Sequence, residues 1–477
     1  MKNINRIKLL ILAILITFTA CDTVDFGDTN VDPNSPSNAT TSALFTNAEK
    51  TVGDNLEATT ANLYVQYLSN GQYPEESLYQ TLNWSFNGYY AALTDLQKVI
   101  ELNTNESTKV AAQAYGSNAN QIAAAIILRV YFFHQMTDRW GMIPYSEALQ
   151  GLENPFPKYE SQQAIYTGLF GELDSALSMI DSGNGPTGDI ILNGDMSRWI
   201  TFANTIKLVM ALRLSKADPV TGKGKFLEAM SGAISSNTEN IQYTYLTEDT
   251  NDNPWQDNFE SRRDYLLSET FANALIGSGT ASAPEDPRTS KYFETANNYP
   301  TMYRGAPYGI LNGTPDDWSF ITSDIIFKSD APLMIYTYSE VLFARSEAAA
   351  LGWTTENASS LYENAITASM DQWGVSSSAA NTYIAGNPYS ELNDIAFEKW
   401  KSLFLQGYNS WAEWRRHKAM GYGVPLTAPA DLLSNATDIP DRHAYSATAG
   451  DLNKENYDAA IAAQGPDALN TILWTNQ

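Results

Sequence analysis

Apolar residues recur at intervals of three and four through much of 42–235, the spacing that lays a single stripe along an α-helix. Ile122, Ala125, Ile126, Val130 and Phe133 make one stripe, with the stem of Arg129 beside it. Ile165, Leu169, Leu173, Leu177 and Ile180 make another. Between them runs Asp138-Arg139-Trp140-Gly141-Met142-Ile143-Pro144-Tyr145, whose Gly and Pro end the first helix before the second begins. The same order of helix, break and helix returns at 200–216 with 225–234 and at 338–351 with 359–370, which predicts three helical hairpins. Their second members carry small residues near the middle, as in Glu172-Leu173-Asp174-Ser175-Ala176-Leu177, Phe226-Leu227-Glu228-Ala229-Met230 and Leu361-Tyr362-Glu363-Asn364-Ala365-Ile366. Small residues let a helix approach its partner closely, as tetratricopeptide-type repeats of about 34 residues require. The spacing is irregular, so a non-repeating helical domain is the alternative.

The pattern changes at 236–331. Gly, Pro, Asn, Asp and Thr crowd this stretch, and aromatic residues (Tyr243, Tyr245, Trp255, Phe259, Tyr265, Tyr292, Phe293, Tyr303, Tyr308, Trp318 and Phe320) follow no amphipathic period. A long loop-rich segment this aromatic is expected to be functional rather than disordered. The tail, 421–477, is also turn-rich and predicts one helix. The fold class is therefore mostly α, with a helical core over about 42–235 and 332–420. Segments 236–331 and 421–477 are expected to build an irregular ligand face.

The N-terminus has a different logic. Lys2, Arg6 and Lys8 precede an apolar run over 9–18 and then Thr19-Ala20-Cys21. The run is too short to span about 30 Å of hydrocarbon as a helix and reads as a signal peptide, 1–20. Cys21 is the chain's single cysteine, which excludes an internal disulfide and a Cys-based zinc site in the monomer. Phe18-Thr19-Ala20-Cys21 resembles a bacterial lipobox, in which the thiol is acylated and the cysteine becomes the new N-terminus. Cys21 is thus the expected lipid anchor, because two or more acyl chains hold a protein at a membrane stably. An extended tether rich in Asp, Asn, Pro, Ser and Thr follows to residue 41, and 42–477 is read as a single domain.

Charge narrows the partners. The net charge of −25 becomes −28 once 1–20 is removed, because that segment holds three basic residues and no acid. Nucleic acid and anionic membrane surfaces both need a basic footprint, so neither is expected, and a neutral or weakly charged ligand suits the chain. No catalytic signature stands out. His134, His417 and His443 are scattered, and HExxH, GxSxG and GxxxxGK[ST] are absent from the sequence. His134 reads as a core or helix-end residue, and His417, after Trp411, Trp414, Arg415 and Arg416, as part of a basic helix C-terminus complementing the dipole. The nearest metal lookalike is Asp249-Thr250-Asn251-Asp252-Asn253-Pro254 continuing to Asp257 and Glu260. Pro254 stands where an EF-hand needs Gly, which rejects that motif and leaves a different structural Ca²⁺ site as a minor alternative; no cofactor is expected. An enzyme is not expected, with a secreted hydrolase on a helical scaffold as the minority reading.

Aromatic residues in loops suit a sugar ligand, whose apolar C–H faces stack on rings while nearby polar groups bond its hydroxyls. Tyr73, Tyr79, Trp255, Tyr303 and Trp318 are the candidate ligand contacts. Trp84, spaced helically from Tyr89 and Tyr90, is assigned to packing.

Several stretches resemble the SusD/RagB-like nutrient-binding outer-membrane lipoproteins. Asn30-Val31-Asp32-Pro33-Asn34-Ser35-Pro36 is similar to that family's segment after the tether. Asp138 to Tyr145, continued by Ser146-Glu147-Ala148, resembles its Trp-Gly-x-Ile-Pro-Tyr-Ser-Glu-Ala stretch, with Met142 where Asp is common. Gly194-Asp195 with Trp199, Phe202-Ala203-Asn204, Leu212-Arg213-Leu214-Ser215, Ser339-Glu340-Val341 with Ser346-Glu347-Ala348-Ala349, and Trp411-Ala412-Glu413-Trp414-Arg415-Arg416 extend the likeness over nearly the whole mature chain. The Trp-Gly and Trp-Arg-Arg stretches look like fold determinants, so no binding role is carried onto them. The resemblance implies a tetratricopeptide-like scaffold tethered outside the outer membrane of a Gram-negative bacterium. It also implies a lid on a SusC-like TonB-dependent transporter, capturing glycans or, in some branches, peptides.

Overall fold

Several helices begin where a side chain satisfies a free backbone N–H. In the computed structural model, which describes residues 39–477 apart from 278–279 and 282–284, α1 is Thr41–Leu56, α2 Asn87–Thr104 and α3 Asn118–Trp140. The signal peptide, Cys21 and the tether up to residue 38 lie outside the described residues. α4 (Gln162–Met179) starts at Ser161, whose hydroxyl accepts from the Ala164 amide at 3.2 Å. α5 (Met196–Arg213) starts at Asp195, whose carboxylate accepts from the Ser197 amide at 2.9 Å. α6 (Pro219–Ala229) combines an Asp218 cap with Pro at its first position, where the missing N–H costs nothing. α7 (Tyr338–Ala350), α8 (Ala358–Gln372), α9 (Ser377–Gly386), α10 (Leu392–Ser402), α11 (Gly407–Met420) and α12 (Lys454–Gln464) complete the long helices.

The three expected hairpins are α3 with α4, α5 with α6 and α7 with α8, each packed along its length. α1 and α2 make a further pair, which docks through α2 onto α3. The leading helices also touch in sequence, α3 on α5, α5 on α7 and α7 on α10, so the hairpins stack in a row. Among the described residues no helix is long and apolar enough to cross a membrane.

The break after α3 shows why its motif is what it is. Gly141 has φ 78°, and a Cβ there would lie 1.9 Å from Gln464 Oε1 and 2.7 Å from Leu473. Only glycine supplies both the backbone turn and the room. Beside it Trp140 is fully buried, and its Nε1 donates to the Trp84 carbonyl at 3.2 Å. Trp84 stacks on His443 with centroids 4.7 Å apart, which agrees with its assignment to packing. The tail is more interior than its composition suggests: Arg442, His443 and Tyr445 are all fully buried.

The segment 236–331 leaves and rejoins the scaffold at one place. Strand Ile241–Tyr243 pairs antiparallel with Leu333–Tyr336, and Leu68–Asn70 pairs with Tyr265–Leu267. These two short ladders hold the ends and the middle of the insertion against the helices. Inside, Trp255, Phe259, Tyr292, Phe293 and Phe320 are buried and continuous with the main core. Most of the unpatterned aromatics therefore pack the insertion, which contains short helices such as Pro254–Phe259 and Glu269–Ile276 instead of plain loop.

A dense set of buried charges joins α7, α10 and α11. Arg416 grips both oxygens of Glu347, at 2.6 and 2.8 Å, and Glu413 at 2.6 Å. Lys399 and Arg213 also pair with Glu413, and Tyr422 donates to Glu347 at 2.5 Å. This corrects the dipole reading of the basic cluster. Arg415, Arg416 and His417 face the interior, and burial, opposed by Glu347, pulls the His417 imidazole down to about 4, so it is neutral near pH 7.

Candidate ligand-binding surface

Five aromatic residues were candidates, and the fold separates them. Trp255 is 0% exposed and follows Asn253, which caps the helix Pro254–Phe259 by accepting from the Trp255 amide at 2.9 Å. Its ring meets Tyr265 edge-on at 6.0 Å and anchors the insertion. Tyr79 is 1% exposed and sits edge-on to Tyr64 at 5.3 Å. Neither ring presents a face to a ligand, because both were read from loop context while those loops fold inward. Tyr73, Tyr303 and Trp318 do reach the surface, Tyr73 with 42% exposure.

Tyr73 stands at the turn after strand Leu68–Asn70, where Asn70 Oδ1 accepts from the Gln72 and Tyr73 amides at 3.0 and 2.7 Å. That turn fixes the direction of the ring. Arg262 comes from the stretch just before the partner strand Tyr265–Leu267. Its Nη1 donates to Tyr73 Oη at 2.6 Å, its guanidinium lies 5.0 Å from the ring centroid, and its Nη2 pairs with Asp264 at 3.0 Å. The neighbouring Tyr265 phenol donates to Glu76 at 3.0 Å, and burial together with that carboxylate pushes its pKa up, so it stays a protonated donor.

Trp318 lies one residue before Ser319, whose carbonyl accepts from the Leu267 amide at 2.9 Å. The far edge of the same strand thus carries a second aromatic group. Arg304 places its guanidinium 4.9 Å from the Trp318 ring and 4.0 Å from Tyr299, which is 41% exposed. Tyr303 is half-buried next to it, in a two-residue ladder with Thr280–Ala281. Polar groups border these rings: Asn297 donates to Asp316 at 2.7 Å, Asn298 to Asp317 at 2.8 Å, and Arg263 pairs with Asp316 at 3.2 Å. Arg263 adjoins Arg262 in the chain and pairs with Asp316, two residues before Trp318.

The exposed Tyr73 and Tyr299 and the half-buried Trp318 therefore each have a guanidinium beside them, with carboxylates and amides alongside. The surface can stack an apolar face and hydrogen-bond a hydroxyl-rich rim. Tyr299, Arg262, Arg263 and Arg304 were missed in the sequence reading. The signal was present as adjacent arginines in a chain with only 29 basic residues.

Metal chemistry finds no better footing. Among the described residues the one grouping of three potential ligand side chains is Glu347, Glu413 and His417, not the Asp249–Glu260 stretch. Arg416, Lys399 and Arg213 already neutralise those carboxylates, leaving no net negative charge to attract a cation.

A protein-family model described as starch-binding and associating with the outer membrane matches residues 33–446. No curated protein matches. Among solved structures, a chitin-binding protein superposes with TM-score 0.78 at 22% identity, covering 91% of this chain and 99% of its own. A chitin-binding SusD homologue from Flavobacterium johnsoniae gives 0.73 at 22% identity, covering 92% and 98%. A SusD homologue from Bacteroides fragilis gives 0.77 at 20% identity, covering 92% and 100%. At these identities the likeness establishes the fold.

Proposed function

Because this chain belongs to the SusD-like family of starch-binding, outer-membrane-associated proteins, we propose that it is a cell-surface lipoprotein that captures oligosaccharides and is not an enzyme. The observation that carries the reading is the set of rings Tyr73 and Tyr299, exposed, and Trp318, half-buried, each beside an arginine and hydrogen-bonding groups. Two solved relatives are described as chitin-binding, which supports a glycan as the ligand. Binding proceeds by stacking of sugar faces on the rings and hydrogen bonds from Arg262, Arg263 and the Asn297 and Asn298 amides. Cys21 carries the lipid that keeps the protein at the outer membrane, and the cargo passes to a SusC-like TonB-dependent transporter.

Calorimetry with chito-oligosaccharides, malto-oligosaccharides and short peptides tests the reading. Binding of one glycan series, abolished by joint Tyr73→Ala and Trp318→Ala substitution, is expected. Binding of peptides alone, or glycan binding untouched by the double substitution, counts against it. Cys21→Ala should move the protein out of the membrane fraction, and the acylated protein should co-purify with a TonB-dependent transporter.

A further inference from the structure

A cavity of about 340 Å³ opens between the insertion and the helical scaffold, apart from the aromatic surface. Leu333 and Met334 of the returning strand form one apolar wall, and Phe404 and Leu405, in the turn between α10 and α11, form another. Trp373, just past the end of α8, closes a third side and packs edge-on against Tyr292 at 4.8 Å. Leu405 has φ 65°, a left-handed backbone conformation that is costly for a residue with a Cβ and that tends to persist where a ligand or clamp needs it.

Two buried polar atoms of the residues lining this cavity have no partner among the described residues. Gln406 is only 7% exposed, and its Oε1 is buried without a hydrogen-bond partner; the same is true of Trp373 Nε1. Both atoms belong to residues that line the cavity and are sealed from solvent, where a buried polar atom normally finds a partner. At the rim Lys291 and Asp324 sit on segments joined by the amide of Thr322 donating to the Tyr292 carbonyl at 2.9 Å. Both side chains are exposed, and they neither pair with each other nor appear in any of the ion pairs formed among the described residues. A cation and an anion on two joined segments lining one cavity with apolar walls complement a ligand that carries both charges and an apolar body.

We propose that this cavity is a second binding site, for a small zwitterion with an apolar side chain, the chemistry shared by a free apolar amino acid and a short apolar peptide. The ligand carboxylate meets Lys291, its ammonium meets Asp324, and its side chain fills the space between Leu333, Met334 and Phe404. The site does not depend on the glycan reading of the aromatic surface.

Calorimetry on the full chain would use phenylalanine, leucyl-leucine, N-acetyl-leucine amide and chitobiose as probes. Phenylalanine or leucyl-leucine should bind, the stronger of the two identifying the source, and the uncharged N-acetyl-leucine amide should bind at least about tenfold more weakly once both charged ends are removed. Lys291→Gln and Asp324→Asn should each weaken the zwitterion about three- to fivefold, the worth of a partly exposed ion pair. Met334→Trp should fill the cavity and abolish binding, while Tyr73→Ala with Trp318→Ala should leave it intact. Lys291 and Asp324 are exposed, so their variants keep the test valid if the Met334 variant fails to fold. Failure of both zwitterions to bind, equal binding of the blocked amide, preference for chitobiose, or indifference to both rim substitutions would each overturn the proposal.

Discussion

An arginine beside an aromatic ring occurs in two regions of this molecule, with opposite consequences. In the scaffold, Arg415 lies 3.9 Å from the Trp411 ring, and Arg139 lies 3.7 Å from Tyr408. Both are nearly fully buried, and Arg415 also donates to the carbonyls of Asp138 and Asp441 at 2.7 and 2.6 Å. In the insertion, Arg262 over Tyr73 and Arg304 over Tyr299 and Trp318 use the same chemistry at the surface. The scaffold arginines are buried and bonded to neighbouring groups of the core, so those pairs fix geometry. The insertion pairs have few partners and keep their rings in reach of solvent, so they can fix geometry and still accept a ligand.

Substitution in the scaffold should therefore break the fold and substitution in the insertion should not. Arg416→Met should have the largest effect, because it leaves Glu347 and Glu413 buried without their bidentate partner. Removing one member of a buried ion pair costs about 3–5 kcal/mol, and urea denaturation should show a loss of that size. A loss below about 1 kcal/mol would mean that the network relaxes or hydrates, and that its arginines resemble surface ones.

The two tryptophans of the insertion draw the same line within one segment. Trp255→Ala should cost about 3–5 kcal/mol of stability, as large buried aromatics do. Trp318→Ala removes a half-buried ring and should cost clearly less stability than Trp255→Ala, while weakening glycan binding about tenfold, equivalent to about 1.4 kcal/mol. Equal stability losses in the two variants would place Trp318 with the core.

Periodicity made the hairpins legible: α4 buries one apolar stripe turn after turn, whereas α3 and α7, central in the stack, are buried on nearly every face. In the structure Ser161, Asp195 and Asn357 cap the starts of α4, α5 and α8. The site was legible only in part. Trp255 and Trp318 both lie among Asn, Asp and Pro, and nothing local separates them; one is buried because its helix packs inward against Tyr265, a contact ten residues away in the chain. Tyr79 likewise turns inward because its backbone, at φ 62°, directs the ring toward Tyr64. Arg304 gains its meaning only when Tyr299 and Trp318 flank it. Long-range packing decides these cases, and it has no period to read.

Acid should separate the regions again, with a somewhat smaller effect. Burial, the leading influence on His417, and nearby Arg416 hold its imidazole down to about 4 against the pull of Glu347, while the unfolded chain titrates near its ordinary 6.5. The unfolded state thus takes up the proton first as pH falls. The associated stability is fully present above pH 6.5 and is lost as pH drops from 6.5 toward 4, by up to roughly 3 kcal/mol. His443 adds a loss of the same sign, since burial and three arginines also keep it neutral. Glu49 acts in reverse: burial and Asp189 raise its carboxyl above 4.5, so its contribution declines as pH rises past that value. Melting temperature measured against pH should fall steeply toward pH 4 in the wild type and less steeply in His417→Asn. Glu49→Gln should flatten the decline on the alkaline side.

The smallest expected effect tests whether a surface arginine matters through its shape or only through its charge. Arg262→Lys keeps a cation for Asp264 but removes the flat guanidinium from Tyr73 and with it the fork that bonds both groups at once. An exposed cation–π contact is worth about 0.5–1 kcal/mol, so glycan affinity should fall about two- to fivefold while stability changes by less than about 0.5 kcal/mol. Arg263→Lys is the comparison: it keeps a hydrogen-bonding cation for the sugar, and the guanidinium it removes lies over the buried Phe320 and not over an exposed ring. Calorimetry on both variants checks the difference. Loss of affinity in Arg262→Lys alone means that the guanidinium holds the ring in its binding orientation. Wild-type affinity in Arg262→Lys, with loss in Tyr73→Ala, means that the turn at Asn70 suffices to aim the ring; the surface arginines would then differ from their buried counterparts in role as well as in exposure.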